Sequence, residues 1–375
     1  MPDPFRNLSS PTWLIGGVII LEAEMQKIFQ YVLIIVFLIS PCIVYSELPP
    51  APEEAFSIVV IPDTQKYLGK GTKAQPESTE EVTNPVFAAY TQWIVDNLEK
   101  QRVVFVSHVG DIVDRNMPEQ WVVARHQMDR LHGRIPYGIS VGNHDSKSNG
   151  DSSLFQEYFP VSRFQDFVWY GGCYQNPDGD PSISGNNANS YQLFSAGGMD
   201  FIFFHLECNA PDDVLAWADG LLKRYADRKA LITTHMYLGP LNKPKESQGY
   251  YDDPKGRMQW TKRHGDRGNS AQQMWDKCFR KNANLLAIFC GDQSRTQSMY
   301  RAIQGDHGNL VHELLSDYGS EGLRVYRFFP QACRIEVMTY NPIAEKLCGG
   351  TRIVPEEGRH QFVVQAHLAG TTCIH

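Results

Sequence analysis

The chain is short of several features, and each shortage narrows what it can be. Its eight cysteines contain no C-x-x-C pair, which removes a zinc ribbon and a thioredoxin-type redox motif. Lys and Arg are scattered rather than clustered, and the net charge is −7. The electrostatic footprint of a nucleic-acid binder is therefore missing, and no nucleic-acid partner is expected. No internal repeat of the short-period kind is present, which sets a repeat array aside. The uninterrupted apolar run from Val32 to Ile39 is too short to span a bilayer.

What is present begins with a targeting pattern. From Met25 the sequence gives a start bearing Lys27, then that apolar run, then Pro41 and the small residue Ser46. This is the shape of a secretory signal with cleavage near Ser46, so residues 1–46 are expected to be a signal region with translation starting at Met25. The expected location is exported, periplasmic or extracellular, with a membrane anchor as the alternative and no stable span after signal removal. Residues 47–55, rich in Pro, are expected to be a linker. Seven cysteines follow residue 46, an odd count that leaves at least one unpaired. Cys208 and Cys290 sit in apolar runs and suit small buried hydrophobes. Cys333 and Cys348 are a candidate pair. With 42% hydrophobic residues the chain can bury one large core or two modest ones.

The organising stretch is Val103 to Asp114. An apolar run ends in Gly110 and is followed by Asp111 and Asp114. Ile135 to Val141 repeats the design, ending in Gly142-Asn143-His144-Asp145. Phe56 to Ile61 leads to Asp63-Thr64-Gln65, Ala230 to Thr234 leads to His235, and Leu285 to Cys290 leads to Gly291-Asp292. Helical spacing follows Asn84 and covers Glu119 to Leu131, Val214 to Tyr225 and Ala271 to Lys281, so the first half reads β-α-β-α-β. That order predicts a parallel sheet covered by helices, with polar strand ends gathered at its carboxyl edge. Tyr170 to Asn189 is expected to be a surface loop, Gly239 to Asn269 a lid or specificity loop, and residues 346–375 an irregular extension after a domain over 56–345. His108 and His205 suit core histidines, while His126, His132, His264, His307, His312, His360, His367 and His375 default to the surface.

Five apolar runs that each end in Asp, Asn or His carry more meaning than any one of them. Carboxylates converging on one edge repel, and divalent cations relieve that repulsion. Oxygen donors with imidazole suit Mn, Fe, Zn, Mg or Ca.

The ordered set D-x-Q, G-D-x-x-D, G-N-H-D, a lone His and G-D-x-S resembles the calcineurin-like metallophosphoesterase family from about Ser57 to Pro342. Asn189-Ser190-Tyr191, Leu215 to Ala218 and Thr339 to Pro342 further resemble a secreted bacterial branch with D-T-Q as its first motif. The resemblance implies an α/β fold, a four-layer sandwich of two mixed β-sheets flanked by helices. It implies two divalent ions bridged by Asp111, the first on Asp63 and Gln65, the second on Asn143, His235 and Asp292. It implies a catalytic pair, His144 and Asp145: His144 would sit beside the phosphate, protonating the leaving oxygen or stabilising charge on the phosphoryl group, with Asp145 and Asp114 as supports that orient it and the loops. The implied reaction is hydrolysis of a phosphomonoester or phosphodiester by a metal-bound hydroxide.

Three positions depart from the family pattern. Gln65, Asp292 and Ser294 stand where that pattern has histidines, so the first ion is expected to bind more weakly than the second. Arg295 and Tyr237 are candidates to reach the substrate phosphate. Two rival readings remain: a degenerate relative that binds a metal or ligand without hydrolysing it, and a metal-dependent nuclease, which the acidic charge disfavours.

Overall fold

Strand β1 (Phe56–Ile61) is buried on both faces. Ile58 and Val60 enter one packed layer, and Val59 and Ile61 another. That two-sided burial is why the sequence reads there as an unbroken apolar run rather than an alternating one. The structure, a computed structural model, describes residues 47–319 and 322–368; the signal region expected over residues 1–46 lies outside the described residues.

Strands β2 (Val103–His108) and β3 (Tyr137–Ile139) run parallel beside β1. Next in the chain come β4 (Tyr170–Cys173), β5 (Ser190–Ala196), β6 (Met199–Leu206) and β7 (Lys229–Thr234). The short ribbon of β8 (Leu238–Pro240) and β9 (Lys255–Arg257) precedes β10 (Leu285–Cys290), β11 (Ser298–Gln304) and β12 (Leu310–Ser316). Four strands complete the series: β13 (Leu323–Phe329), β14 (Arg334–Asn341), β15 (Lys346–Leu347) and β16 (Gln361–Gln365).

Two mixed sheets result. One has the order β15-β14-β13-β1-β2-β3, with β16 also paired to β14; the other has the order β11-β12-β10-β7-β6-β5-β4. Their inner faces share a core in which Phe56, Phe105, Phe201, Phe203, Phe289 and Phe328 meet. Helices Pro85–Asp96 and Pro118–Asp129 cover the outer face of the first sheet through Phe87, Tyr90, Trp121 and Ala124. Helices Asp212–Arg224 and Ala271–Lys277 cover the second through Val214, Leu215, Met274 and Trp275. The fold is therefore an α/β four-layer sandwich of two mixed β-sheets flanked by helices, as expected. Local signals start the helices: Asn84 accepts the Phe87 amide ahead of Pro85, and Ser270 with Gln273 forms a reciprocal capping box.

Several expectations differ from the structure for identifiable reasons. β3 is shorter than Ile135 to Val141, because Pro136 has no N–H to donate and, although the Ser140 amide still reaches the His108 carbonyl, the Val141 carbonyl is taken by the Cys208 amide. Tyr170–Cys173 is an edge strand rather than loop. The stretch after Leu347 is not wholly irregular, since Gln361–Gln365 pairs antiparallel with β14. The Pro-rich stretch after residue 46 is tied down: Leu48 is buried, and the carbonyls of Leu48 and Pro49 accept from Gln101 and Arg327. Cys333 is disulfide-bonded, but Cys348 is not its partner. His264, His312 and His360 are buried, not superficial. His108 and His205 are core residues whose rings bond Thr64, Ser107 and Gln192, and burial, the largest cause, lowers both to about 3.

The inter-sheet aromatic layer should dominate stability. Phe105 lies 4.9 Å, centroid to centroid, from both Phe194 and Phe203. Phe105→Ala is expected to destabilise the protein by about 3–5 kcal/mol in urea unfolding; a loss under 1 kcal/mol would place the core elsewhere.

Candidate metal centre

The polar strand ends are not gathered on one parallel sheet as expected: the carboxyl ends of β1 and β2 in the first mixed sheet and of β7 and β10 in the second lie together, and the turns that follow them aim polar side chains inward. Two of these side chains belong to aspartates with left-handed backbones, Asp111 at φ +50° and Asp292 at φ +67°. Non-glycine residues adopt that conformation at a cost, and it recurs where the fold overdetermines a site. Neighbouring glycines make the approach feasible. A Cβ on Gly142 would lie 2.2 Å from the Asp111 amide and carboxylate, and one on Gly291 would lie 2.2 Å from Asp63 Oδ1.

Asp63, Asp111 and His235 form the tightest group: one ligating atom from each lies within 4.8 Å of the others, and all three residues are buried. His235 Nε2 lies 3.2 Å from Asp111 Oδ2, 3.9 Å from Asp63 Oδ2 and 3.7 Å from Asp292 Oδ1. Its Nδ1 faces the Val109 carbonyl at 3.0 Å, which orients the ring and leaves Nε2 toward the carboxylates. Neither His235 Nε2 nor Asn143 Oδ1, both buried, has a hydrogen-bond partner. Unpaired buried acceptors beside acidic oxygens are what a divalent cation needs, so the residues fit such an ion.

Electrostatics point the same way. Burial first, then Asp317, raises the Asp63 carboxyl well above its ordinary value. Burial also works to raise Asp111, but the charges of His235 and His144 outweigh it and hold the carboxyl down at about 2. Burial works to lower His235, yet Asp111 and Asp63 push its pKa well up.

The remaining expected residues reach the same place in different roles. The Gln65 amide donates from Nε2 to Asp111 Oδ2 at 2.9 Å, so it presents a donor to the carboxylate rather than a carbonyl to an ion. His144 donates its amide to Asp111 Oδ1 at 2.8 Å, and its Nδ1 lies 2.6 Å from the Asp114 carbonyl. Nε2 of this 30%-exposed ring is thereby left facing the opening, 3.9 Å from Asp111 Oδ2. Asp145, expected in the catalytic pair, is fully buried, and its oxygens accept the Val113 and Gly142 amides. It positions the two motif loops and does not face the opening. Asp292 is 3% exposed at its side chain, whereas Ser294 is exposed. Tyr237 is buried with its hydroxyl on Glu313, so it does not reach a phosphate, and Arg295 lies over the Tyr250 ring.

Three further residues reach the site. Asp317, just after β12, is buried with Oδ1 unpartnered and interacts with Asp63, His235, Asp292 and Asp111. It sits at a strand end like the others, but His312 and Glu313 interrupt β12, so no apolar run signals it in the sequence. Lys262 Nζ lies 3.0 Å from Asp292 Oδ1, and the Arg263 guanidinium donates to the Asn143 carbonyl. Both come from the expected lid loop and carry no sequence motif.

The model of the calcineurin-like phosphoesterase family matches residues 56–291. The uncharacterized protein YvnB of Bacillus subtilis is 29% identical over 313 residues, covering 80% of this chain. The chain spans only 21% of that relative's length. Among solved structures, the NAD nucleotidase of Haemophilus influenzae aligns at a TM-score of 0.43 and 12% identity, over 77% of this chain and 48% of that one. A dimetal phosphatase from Danio rerio aligns at 0.42 and 12%, over 78% and 97%.

A buried acidic cluster has a pH signature. Burial, the largest cause in each case, raises Asp145 to about 6 and Asp317 to about 7. A carboxyl whose folded pKa exceeds its unfolded value of about 3.9 favours folding only while protonated. Between about pH 4 and 7 the folded state thus holds protons that the unfolded state has released, and His235, raised in the fold, acts in the same direction. Asp111, held near 2, opposes this only below that window, but His108 and His205, lowered to about 3, oppose it up to about pH 6.5, where the unfolded chain holds protons that the folded state lacks. Above that range Asp63, Asp317 and His235, all raised in the fold, set the sign, so metal-free protein should melt higher at about pH 7.5 than at about pH 8.5, and added Mn should flatten the difference. A metal-free profile that rises with pH across this range would contradict the cluster.

Proposed function

The chain belongs to the calcineurin-like phosphoesterase family, and from that premise we propose that it is an exported, metal-dependent phosphohydrolase acting on a phosphomonoester or phosphodiester. One observation carries the reading: Asp63, Asp111 and His235 converge in a buried cluster beside the unpaired carbonyl oxygen of the Asn143 side chain. Asp63, Asp111 and His235 would hold one divalent ion, and Asn143 with Asp292 would offer a second position next to it. When bound, such ions supply Lewis acidity toward a phosphoryl oxygen and make water nucleophilic at neutral pH.

The side chains of this chain supply the rest. The Asp114 carbonyl accepts a hydrogen bond from Nδ1–H of His144 and fixes the ring, so a protonated Nε2 can donate toward a leaving oxygen or a phosphoryl oxygen. Asp145 keeps the loops carrying Asp111 and His144 in register through two backbone amides. Asp114 is itself paired to Lys73 at 2.5 Å, which anchors that support. Arg263, on the Asn143 carbonyl, adds positive charge at the rim for an anionic substrate.

A second reading, ion or ligand binding without turnover, draws on the donor orientation of Gln65 and on exposed Ser294. Steady-state assays of generic mono- and diester substrates with Mn, Mg or Ca separate the two. Turnover is expected to require the ion and to fall at least about a hundredfold in Asp111→Asn. His144→Asn should lower kcat by about 10²–10⁴ with little change in KM. Metal-independent turnover, or none with any ion, would remove the hydrolase reading.

A further inference from the structure

Asp292 is already satisfied by the protein. Its Oδ1 faces Lys262 Nζ at 3.0 Å and His235 Nε2 at 3.7 Å, and its Oδ2 accepts from Gln293 Nε2 at 2.5 Å. The lysine is no wandering surface side chain. Its backbone amide and that of Arg263 both donate to Asn209 Oδ1, at 3.0 and 3.3 Å. Asn209 has a left-handed backbone at φ +57° and also donates from Nδ2 to the Asn269 carbonyl. The next residue, His264, is left-handed at φ +64° and nearly buried, with Nε2 3.2 Å from Glu207 Oε2. Space for that ring exists because residue 150 is Gly; a Cβ there would lie 2.1 Å from His264 Nδ1. Arg263 is pinned in turn to the Asn143 carbonyl.

Residues 262–264 are thus clamped from Asn209, Glu207 and Asn143, and one clamped residue, His264, holds a left-handed backbone that the surrounding structure sustains. The result aims one ammonium, 29% exposed, at one buried carboxylate. A second divalent ion on the Asp292 oxygen that faces His235 would share that oxygen with the ammonium, and like charges in a shielded site repel strongly.

We propose that the Lys262 ammonium is a built-in cation on the Asp292 side of the centre. The chain then holds one divalent ion tightly at Asp63, Asp111 and His235, and accepts a second only in competition with Lys262. This inference rests on the metal-dependent reading above. It also accounts for a carboxylate at position 292 without requiring a second ion to neutralise it. Asn143 Oδ1 stays available on that side, so the second position is weakened rather than abolished.

Mn titration of metal-free protein, followed by electron paramagnetic resonance and by elemental analysis after gel filtration, tests it. Wild-type protein should bind one ion per chain tightly and a second at least about tenfold more weakly, without the signature of an exchange-coupled pair. Lys262→Gln and Lys262→Met should strengthen the second ion about tenfold or more and leave the first unchanged. Asp292→Asn should keep the tight ion. Two ions of equal affinity in wild-type protein would overturn the proposal while leaving the metal-dependent reading intact. So would an unchanged second affinity in folded Lys262→Gln, or loss of the tight ion in Asp292→Asn. If wild-type protein binds no ion, the metal-dependent reading fails and the proposal fails with it.

Discussion

Bringing several carboxylates out of water to one place is the constraint around which this fold is built. Asp63, Asp111 and Asp317 are buried and the Asp292 side chain is 3% exposed, where strand ends of the two sheets come together with His235 among them. Isolated buried anions are costly, and their mutual repulsion adds to that cost. The chain offsets part of it with its own groups: the His144 amide on Asp111, the Gln65 amide on the same carboxylate, and Lys262 on Asp292. The unpaired His235 Nε2 and Asn143 Oδ1 mark where the protein's own compensation stops.

Rigidity is what makes such a gathering tolerable. The parallel strands β1, β2, β7 and β10 are buried on both faces, and Asp145 ties the turns after β2 and β3 together. Left-handed Asp111 and Asp292, with Gly142 and Gly291 pressed against the ligands, leave little room for the carboxylates to spread apart. Much of what would otherwise be relaxation is removed by packing, so the electrostatic strain remains available for binding a cation or an anionic substrate's counter-ion.

How far this was legible in the sequence depends on the residue. Strands buried on both faces read as apolar runs, and a polar residue at the end of each run lands at a shared place, so Asp63, Asp111, Asn143, His235 and Asp292 announce themselves. Asp317 lacks that signal, because His312 and Glu313 interrupt the strand before it. Orientation is another matter: nothing local to Asp145 says that both its oxygens turn to backbone amides, nor that Gln65 presents its nitrogen. Lys262 and Arg263 were not legible, because their reach depends on Asn209 and Glu207, more than fifty positions earlier in the chain. The pairing of β16 with β14 was hidden for a similar reason, since a five-residue edge strand after a broken loop owes its existence to its partner rather than to its own pattern.

The central claim is that these carboxylates are assembled around a cation. Anomalous diffraction at the Mn absorption edge, from crystals grown with Mn, addresses it most directly. The expected result is a strong anomalous peak bounded by Asp63, Asp111 and His235. A map without a peak there, with the carboxylates closed on one another and on His235, would contradict it.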